Sequence, residues 1–173
     1  PQTVLFNVMP VAASCSPATP FTYKVTVNSK PTVVFPASPP NPQQVCSGAV
    51  STPVPLSSSV TIPGVTYAWT AAAFDPVNPT AAISGFTTPN SGSTIPGENI
   101  VSSLLTQGVI KYTVTPTFTN AGVGCPGDAQ LYQTLVNPSP TVALSPSDPT
   151  GQSICSGGTS QIIAFTPNTP PGE

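Results

Sequence analysis

The chain of 173 residues carries three basic and five acidic side chains, no histidine and a formal net charge of −2, so that 5% of it is charged, against roughly 25% in an ordinary soluble domain. With no basic patch to receive phosphates, the composition argues against nucleic-acid and polyanion partners, and the absence of a long apolar run argues against membrane insertion as a helix. Its 25 prolines and 13 glycines raise the question of disorder, but the prolines gather at junctions, and runs such as Val109-Ile110-Lys111-Tyr112-Thr113-Val114-Thr115 remain β-branched, aromatic and free of proline.

In chain order, such runs predict strands over residues 32–35, 50–60, 65–71, 81–86, 99–106, 109–118 and 129–137, joined by Pro, Gly, Asn and Ser turns. Alternation assigns their faces, because successive strand side chains point to opposite sides. Tyr67 and Trp69 share an inward face with Val65, and Ile110, Tyr112 and Val114 form another. Tyr132 and Val136 are expected in the same core, with Leu131 and Leu135 on the other side. Many short strands and no convincing helix give an all-β fold, an antiparallel β-sandwich of immunoglobulin-like type.

One stretch is written twice. Val27-Asn28-x-x-Pro31-Thr32-Val33, a Pro-rich spacer and Cys46-Ser47-Gly48 recur 109 residues later as Val136-Asn137-x-x-Pro140-Thr141-Val142, another spacer and Cys155-Ser156-Gly157. The match continues more loosely upstream: Phe6-Asn7-Val8-Met9-Pro10 answers Tyr112-Thr113-Val114-Thr115-Pro116, Cys15 answers Cys125, and Tyr23 answers Tyr132. That period is the length of one immunoglobulin-like sandwich and too long for a solenoid unit. The phase predicts the C-terminal strands of one module in residues 1–30, a complete module in 31–138 and the opening of a third in 139–173, a segment of a longer tandem array. Short Pro-containing junctions at 28–31 and 137–140 are expected to hold neighbouring modules in a semi-rigid line.

The ordered set Cys46-Ser47-Gly48, Thr66-Tyr67-Ala68-Trp69-Thr70, Ser102-Ser103-Leu104-Leu105-Thr106, Lys111-Tyr112-Thr113-Val114-Thr115-Pro116, Gly124-Cys125-Pro126-Gly127 and Val136-Asn137-Pro138-x-Pro140-Thr141-Val142 resembles the PKD-like repeat domains of very large surface and gliding adhesins of Bacteroidetes-type bacteria. The resemblance covers the whole central module. It implies a secreted or cell-surface protein, exported by the type IX secretion machinery, whose modules act as adhesive or stalk units in gliding motility or attachment. The implied partners are neighbouring repeats, surface glycans or the substratum. The resemblance supplies no catalytic residues and no cofactor.

Four cysteines in a chain outside the cytosol suggest disulfides. A bond within each module pairs Cys46 with Cys125 and leaves Cys15 and Cys155 to partners beyond the ends; bonds across the junctions pair Cys15 with Cys46 and Cys125 with Cys155. The first is expected, since each module then carries its own staple, and closing a loop of about 80 residues contributes roughly 4 kcal/mol. Opposing it, the two positions in a sandwich tend to lie at opposite ends, whereas a disulfide needs Cα atoms within about 7 Å.

No zinc spacing and no histidine are present, so no metal site is expected. Asp75, Glu98, Asp128 and Asp148 are scattered without a calcium-loop pattern and read as solvated turn residues. Nucleophilic triads lack their histidine, and no enzyme is expected. Phe74 and Phe86, near turns, are candidates for exposed apolar contact. Two other functions compete with the surface array: a carbohydrate-binding accessory module of a secreted polysaccharide-degrading enzyme, with Trp69 as a stacking platform, and a filament-forming subunit completed by a neighbour's strand.

Overall fold

A computed structural model describes residues 1–11, 19–61, 63–74, 82–144 and 150–167. Its strands are β1 Gln2–Val8, β2 Phe21–Val27, β3 Val33–Val34, β4 Gln43–Cys46, β5 Ala49–Val50, β6 Val54–Pro55, β7 Ser57–Ser58, β8 Val65–Phe74, β9 Ile83–Ser84, β10 Asn90–Ser91, β11 Thr94–Ile95, β12 Asn99–Ser102, β13 Gly108–Asn120, β14 Val123–Pro126, β15 Gln130–Asn137, β16 Val142–Leu144 and β17 Phe165–Pro167. No helix occurs among the described residues.

The long strands form because β-branched and aromatic residues recur at every second position, and the recurrence decides which face is buried. Along β8, Tyr67, Trp69 and Ala71 are buried while Thr66, Ala68 and Thr70 are exposed. Along β13, Ile110, Tyr112, Val114, Pro116 and Phe118 are buried in alternation. These strands lie in one sheet of order β10-β8-β13-β15-β4, with β14 folded back on the far half of β13. Small ladders oppose it: β5-β12-β9, β6-β11 and β3-β7. Val33, Val54, Ile83, Ile95 and Ile100 from those ladders, with Leu56 between β6 and β7, meet Tyr67, Trp69, Ile110, Tyr112, Val114, Tyr132 and Val136 in one core cluster. The result is a β-sandwich. Leu131, on the opposite face of β15 from Tyr132, is exposed.

Several strand boundaries differ from the expectation. The predicted strand 50–60 is three short pieces that pair in turn with β12, β11 and β3. Pro53 and Pro55 cannot donate to a continuous ladder, so the segment changes partner as it goes. The Pro-rich spacer hides a strand, β4, which runs parallel to β15 with Gln43 opposite Thr134 and Cys46 opposite Asn137. Asn41 ties the same spacer to β15, donating from Nδ2 to the Leu131 carbonyl at 2.9 Å and accepting the Gln133 N–H at 3.0 Å.

Pro116 sits inside the longest strand without breaking it. β13 pairs with β15 from Gly108 to Val114 and with β14 from Thr117 to Asn120, so the missing N–H falls where the strand changes neighbour on that side. The Pro116 carbonyl accepts the Gly127 N–H at 2.7 Å. A Cβ at Gly127 would collide with the Pro31 carbonyl and the Pro116 ring. Close approach explains the last residue of Gly124-Cys125-Pro126-Gly127.

The sequence repeat is also a repeat of register. Val142 pairs with Pro167 and Ala143 with Thr166, as Val33 pairs with Ser58 and Val34 with Ser57, every residue displaced by 109. In the first hairpin Gln2 pairs with Val27 and Val8 with Phe21, matching Gly108 with Val136 and Val114 with Gln130. Gly48 and Gly157 share a left-handed backbone, φ 85° and 83°, as a tight turn after Cys-Ser requires.

Candidate functional site

Charged and nucleophilic side chains among the described residues do not gather into one cluster. Among the described residues no group of three or more His, Cys, Asp or Glu lies close enough to hold a metal ion. The Lys30 ammonium meets Asp128 at 2.6 Å with both side chains well exposed, a pair of small energetic weight by itself. Lys111 lies 4.0 Å from the centroid of the Phe74 ring on the outer face of the large sheet and shields part of that half-exposed ring. Phe86 is packed against the core. Asp75 and Asp148 lie outside the described residues.

Trp69 is 3% exposed. A sugar needs an open ring face to stack on, so this indole is no platform. Its Nε1 is buried without a hydrogen-bond partner among the described residues.

Glu98 corrects the reading of the acids as solvated turn residues. It is buried, and each carboxylate oxygen is used: Oε1 accepts the Thr87 N–H at 2.6 Å and Oε2 accepts the Tyr112 hydroxyl at 3.0 Å. Its backbone N–H donates to Ser51 Oγ at 3.0 Å, and its carbonyl accepts the Ser51 N–H at 2.9 Å. A carboxylate so satisfied fastens Thr87 to β13, while the Glu98 backbone holds Ser51, the residue after β5. Burial, and then the adjacent Glu98 carboxylate, hold the Tyr112 phenol far above its ordinary pKa. Burial alone pushes Tyr132 up to about 12 and also raises Tyr67. Tyr132 still has a partner, donating to the Pro40 carbonyl at 2.8 Å.

Gln43 is the other buried polar clamp, and sequence reasoning passed over it. Its Oε1 accepts the Thr52 N–H at 3.1 Å, while Nε2 donates to the Thr52 carbonyl and to Thr134 Oγ1, each at 3.3 Å. The signal that could have found it is Gln152, 109 residues on. Gln152 holds the backbone of Gln161 in the same way, N–H to Oε1 at 2.7 Å and Nε2 to the carbonyl at 3.0 Å.

The cysteines correct a second expectation. Cys46, Cys125 and Cys155 are free thiols, and Cys15 lies outside the described residues. Cys46 stands opposite Asn137, one step beyond the Val136–Gly108 pair, and Cys125 stands opposite Phe118. Between Gly108 and Phe118 the strand runs roughly 33 Å at about 3.3 Å per residue. Cα atoms must approach within about 7 Å to be bridged, so Cys46 and Cys125 do not staple this sandwich.

What these residues occupy instead is the two ends of the sandwich. At the outgoing end the Ser47 N–H donates to the Asn137 carbonyl and Ser139 Oγ donates to the Ser47 carbonyl, both at 2.9 Å. Gln107 Nε2 reaches Asn137 Oδ1 at 2.7 Å. At the incoming end Asn120, on the β13–β14 hairpin, donates to Asn28 Oδ1 at 2.8 Å, Lys30 meets Asp128, and Thr32 bridges Asp128. The chain is thus gripped where it enters and where it leaves.

Neither a curated protein nor a solved structure shows significant similarity to the chain. A family model for the PKD-like domain matches residues 43–140, more than half of the chain and nearly the whole of the central sandwich. Such domains are typically non-catalytic modules of extracellular or surface proteins. With the sandwich, its buried alternating strands and that match in agreement, the chain belongs to the PKD-like domain family.

Proposed function

We propose that this chain is a stretch of a tandem array of PKD-like sandwiches that spaces, and in places attaches, the surface of a bacterial cell. Residues 31–138 form one module, residues 1–30 supply the closing strands of the module before it, and residues 139–173 open the module after it. The observation that carries this reading is the repeated register, in which β1-β2 reproduces the β13-β15 ladder pair for pair and two of the three pairs of β16-β17 reproduce β3-β7. The hairpin's apolar side supports it. Val4, Phe6, Val8, Tyr23 and Val27 are exposed, yet they take the places of Ile110, Tyr112, Val114, Tyr132 and Val136, all buried in the central core.

The gripped ends favour a stalk over a string of loose beads. Residues 28–32 and 137–139 are tied by side-chain and backbone hydrogen bonds to the sandwich, and the junctions carry Pro31, Pro138 and Pro140. In the resembling adhesins such stalks are exported by the type IX machinery and serve gliding or attachment, with glycans or the substratum as partners. Small-angle scattering on the chain lengthened by further repeats tests the shape. A maximum dimension that grows by about 40 Å with each added repeat, the length of a 13-residue strand at about 3.3 Å per residue, is expected; a particle that stays round as repeats are added would overturn the stalk.

A filament-forming subunit draws support from the same exposed hairpin side, since a second chain could cover it. Sedimentation of the 173-residue chain separates the readings: growth into long polymers favours strand exchange between chains, whereas a lengthened chain that stays monomeric favours modules completed in cis. The carbohydrate-binding module has lost its platform, because Trp69 is in the core.

A further inference from the structure

The central repeat carries two cysteines, and they sit at its opposite ends. Cys46 lies beside the chain as it leaves the sandwich, opposite Asn137, with Ser47 and Ser139 bonded next to it. Cys125 lies where the chain comes in. It is on the hairpin whose Asn120 holds Asn28 and two residues before Gly127, which packs on Pro31. The Cys46 thiol is exposed, Cys125 is half-buried, and both are free.

Asn28 occupies the place in the earlier copy that Asn137 occupies in the central one. In the central copy that asparagine is the Cα partner of Cys46. At the junction seen here, the same position accepts a hydrogen bond from Asn120 of the next sandwich, and Asn120 pairs with Val123, two residues from Cys125. The one asparagine position therefore touches, as Asn137, the strand that bears the outgoing thiol and, as Asn28, the hairpin that bears the incoming one. Only Ser29 and Lys30 separate Asn28 from Pro31, so these three Cα-to-Cα steps span at most about 11 Å.

We propose that Cys46 forms a disulfide with the cysteine at the Cys125 position of the following repeat, and Cys125 with the one at the Cys46 position of the preceding repeat, so that each junction is stapled instead of each sandwich. This rests on the tandem-array reading. The pair Cys125–Cys155 is rejected by the same geometry, since Cys155 repeats the outgoing position and stands two sandwiches beyond the junction that Cys125 faces; the alternative pair Cys15–Cys46 involves Cys15, which lies outside the described residues. Two thiols lose two protons and two electrons as the S–S bond forms; the disulfide of a thiol oxidoreductase accepts them and becomes a dithiol. A staple beside the linker limits bending and twisting, and pulling along the array is shared between the linker and the S–S bond.

Residue 173 holds the place of residue 64 one period earlier, so joining a second copy of residues 65–138 to the C-terminus of the full chain completes the following repeat in phase. This lengthened chain is oxidised with a glutathione redox couple, digested, and its disulfides mapped by mass spectrometry, with a Cys46→Ser variant and small-angle scattering in parallel. The expected result is one peptide joining Cys46 to the second copy of Cys125, lost in the variant, while the first Cys125 and Cys155 stay open to alkylation. Free thiols in two sandwiches that scattering shows folded and in line would overturn the staple and leave the array standing, as would Cys46 joined to the first Cys125 or to Cys155. An added repeat that stays unfolded would overturn both.

Discussion

The Tyr112 hydroxyl donates to Glu98 Oε2 at 3.0 Å inside the sandwich, in a chain that has only five acidic residues to place. The second carboxylate oxygen takes the Thr87 N–H. Removing the carboxylate leaves a buried phenol and a backbone N–H without partners, each of which was bonded to a charged group worth about 1.5–3 kcal/mol. Glu98→Ala is therefore expected to cost about 3 kcal/mol in urea unfolding, and Tyr112→Phe roughly half as much. A double-mutant cycle in which the two losses simply add would show that the bond contributes nothing.

Alkaline pH acts on the same core. Folding raises the Tyr112 and Tyr67 phenols above their ordinary values and takes Tyr132 to about 12, whereas in the unfolded chain all three titrate near 10. Below pH 10 both states keep their protons and the full stability is present. Above it the unfolded chain releases protons that the folded chain retains, so stability falls as pH rises. The melting temperature is expected to be flat from pH 7 to 9 and to drop steadily from about pH 10 to 12, with a shallower drop in Tyr132→Phe. A profile that stays flat to pH 12 would mean that the phenols are not sequestered.

Much of the sandwich was legible because strand alternation is a local signal: Tyr67 with Trp69, and Ile110 with Tyr112 and Val114, announce a buried face within five residues. The repeat made the register legible as well, since Phe6 to Tyr112 and Tyr23 to Tyr132 are also equivalent in the ladders. Glu98 was not legible, because an acid after Pro96-Gly97 looks like any turn and its partners Thr87 and Tyr112 are 11 and 14 residues away. Gln43 was masked by the prolines around it. That Cys46 and Cys125 lie at opposite ends was legible as the objection to pairing them, whereas the parallel pairing of β4 with β15 that sets Cys46 beside Asn137 is a long-range choice that no local pattern encodes.

Trp69 separates two costs that usually travel together. Its indole fills the core, but the Nε1 proton is buried without a partner among the described residues, which is itself unfavourable. Trp69→Ala should cost about 3–5 kcal/mol as a cavity opens. Trp69→Phe keeps an aromatic body and removes the orphan donor, and is expected to cost under about 2 kcal/mol. Emission from the native protein should be blue-shifted and insensitive to iodide. Ready quenching would place the ring at the surface and reopen the carbohydrate-binding reading.

Gln43 clamps a backbone, not a side chain, and that distinction can be measured. Its carboxamide closes a two-bond ring with the N–H and carbonyl of Thr52, both of which survive substitution of the Thr52 side chain by any residue but proline. Gln43→Ala leaves those groups and Thr134 Oγ1 to find other partners in a buried site and should cost about 2–3 kcal/mol. Thr52→Ala should be nearly silent. Thr134→Val removes only a hydroxyl from a position that the earlier copy fills with Val25, and is expected to cost under about 1 kcal/mol. Gln43→Glu keeps the acceptor but not the donor, and places a charge in a site that offers it no cation, so it should be as harmful as Gln43→Ala or worse. If Thr52→Ala proved as costly as Gln43→Ala, the side chain of Thr52 would be the true anchor, and the matching ring at Gln152 and Gln161 would be a resemblance of shape without a shared energetic cause.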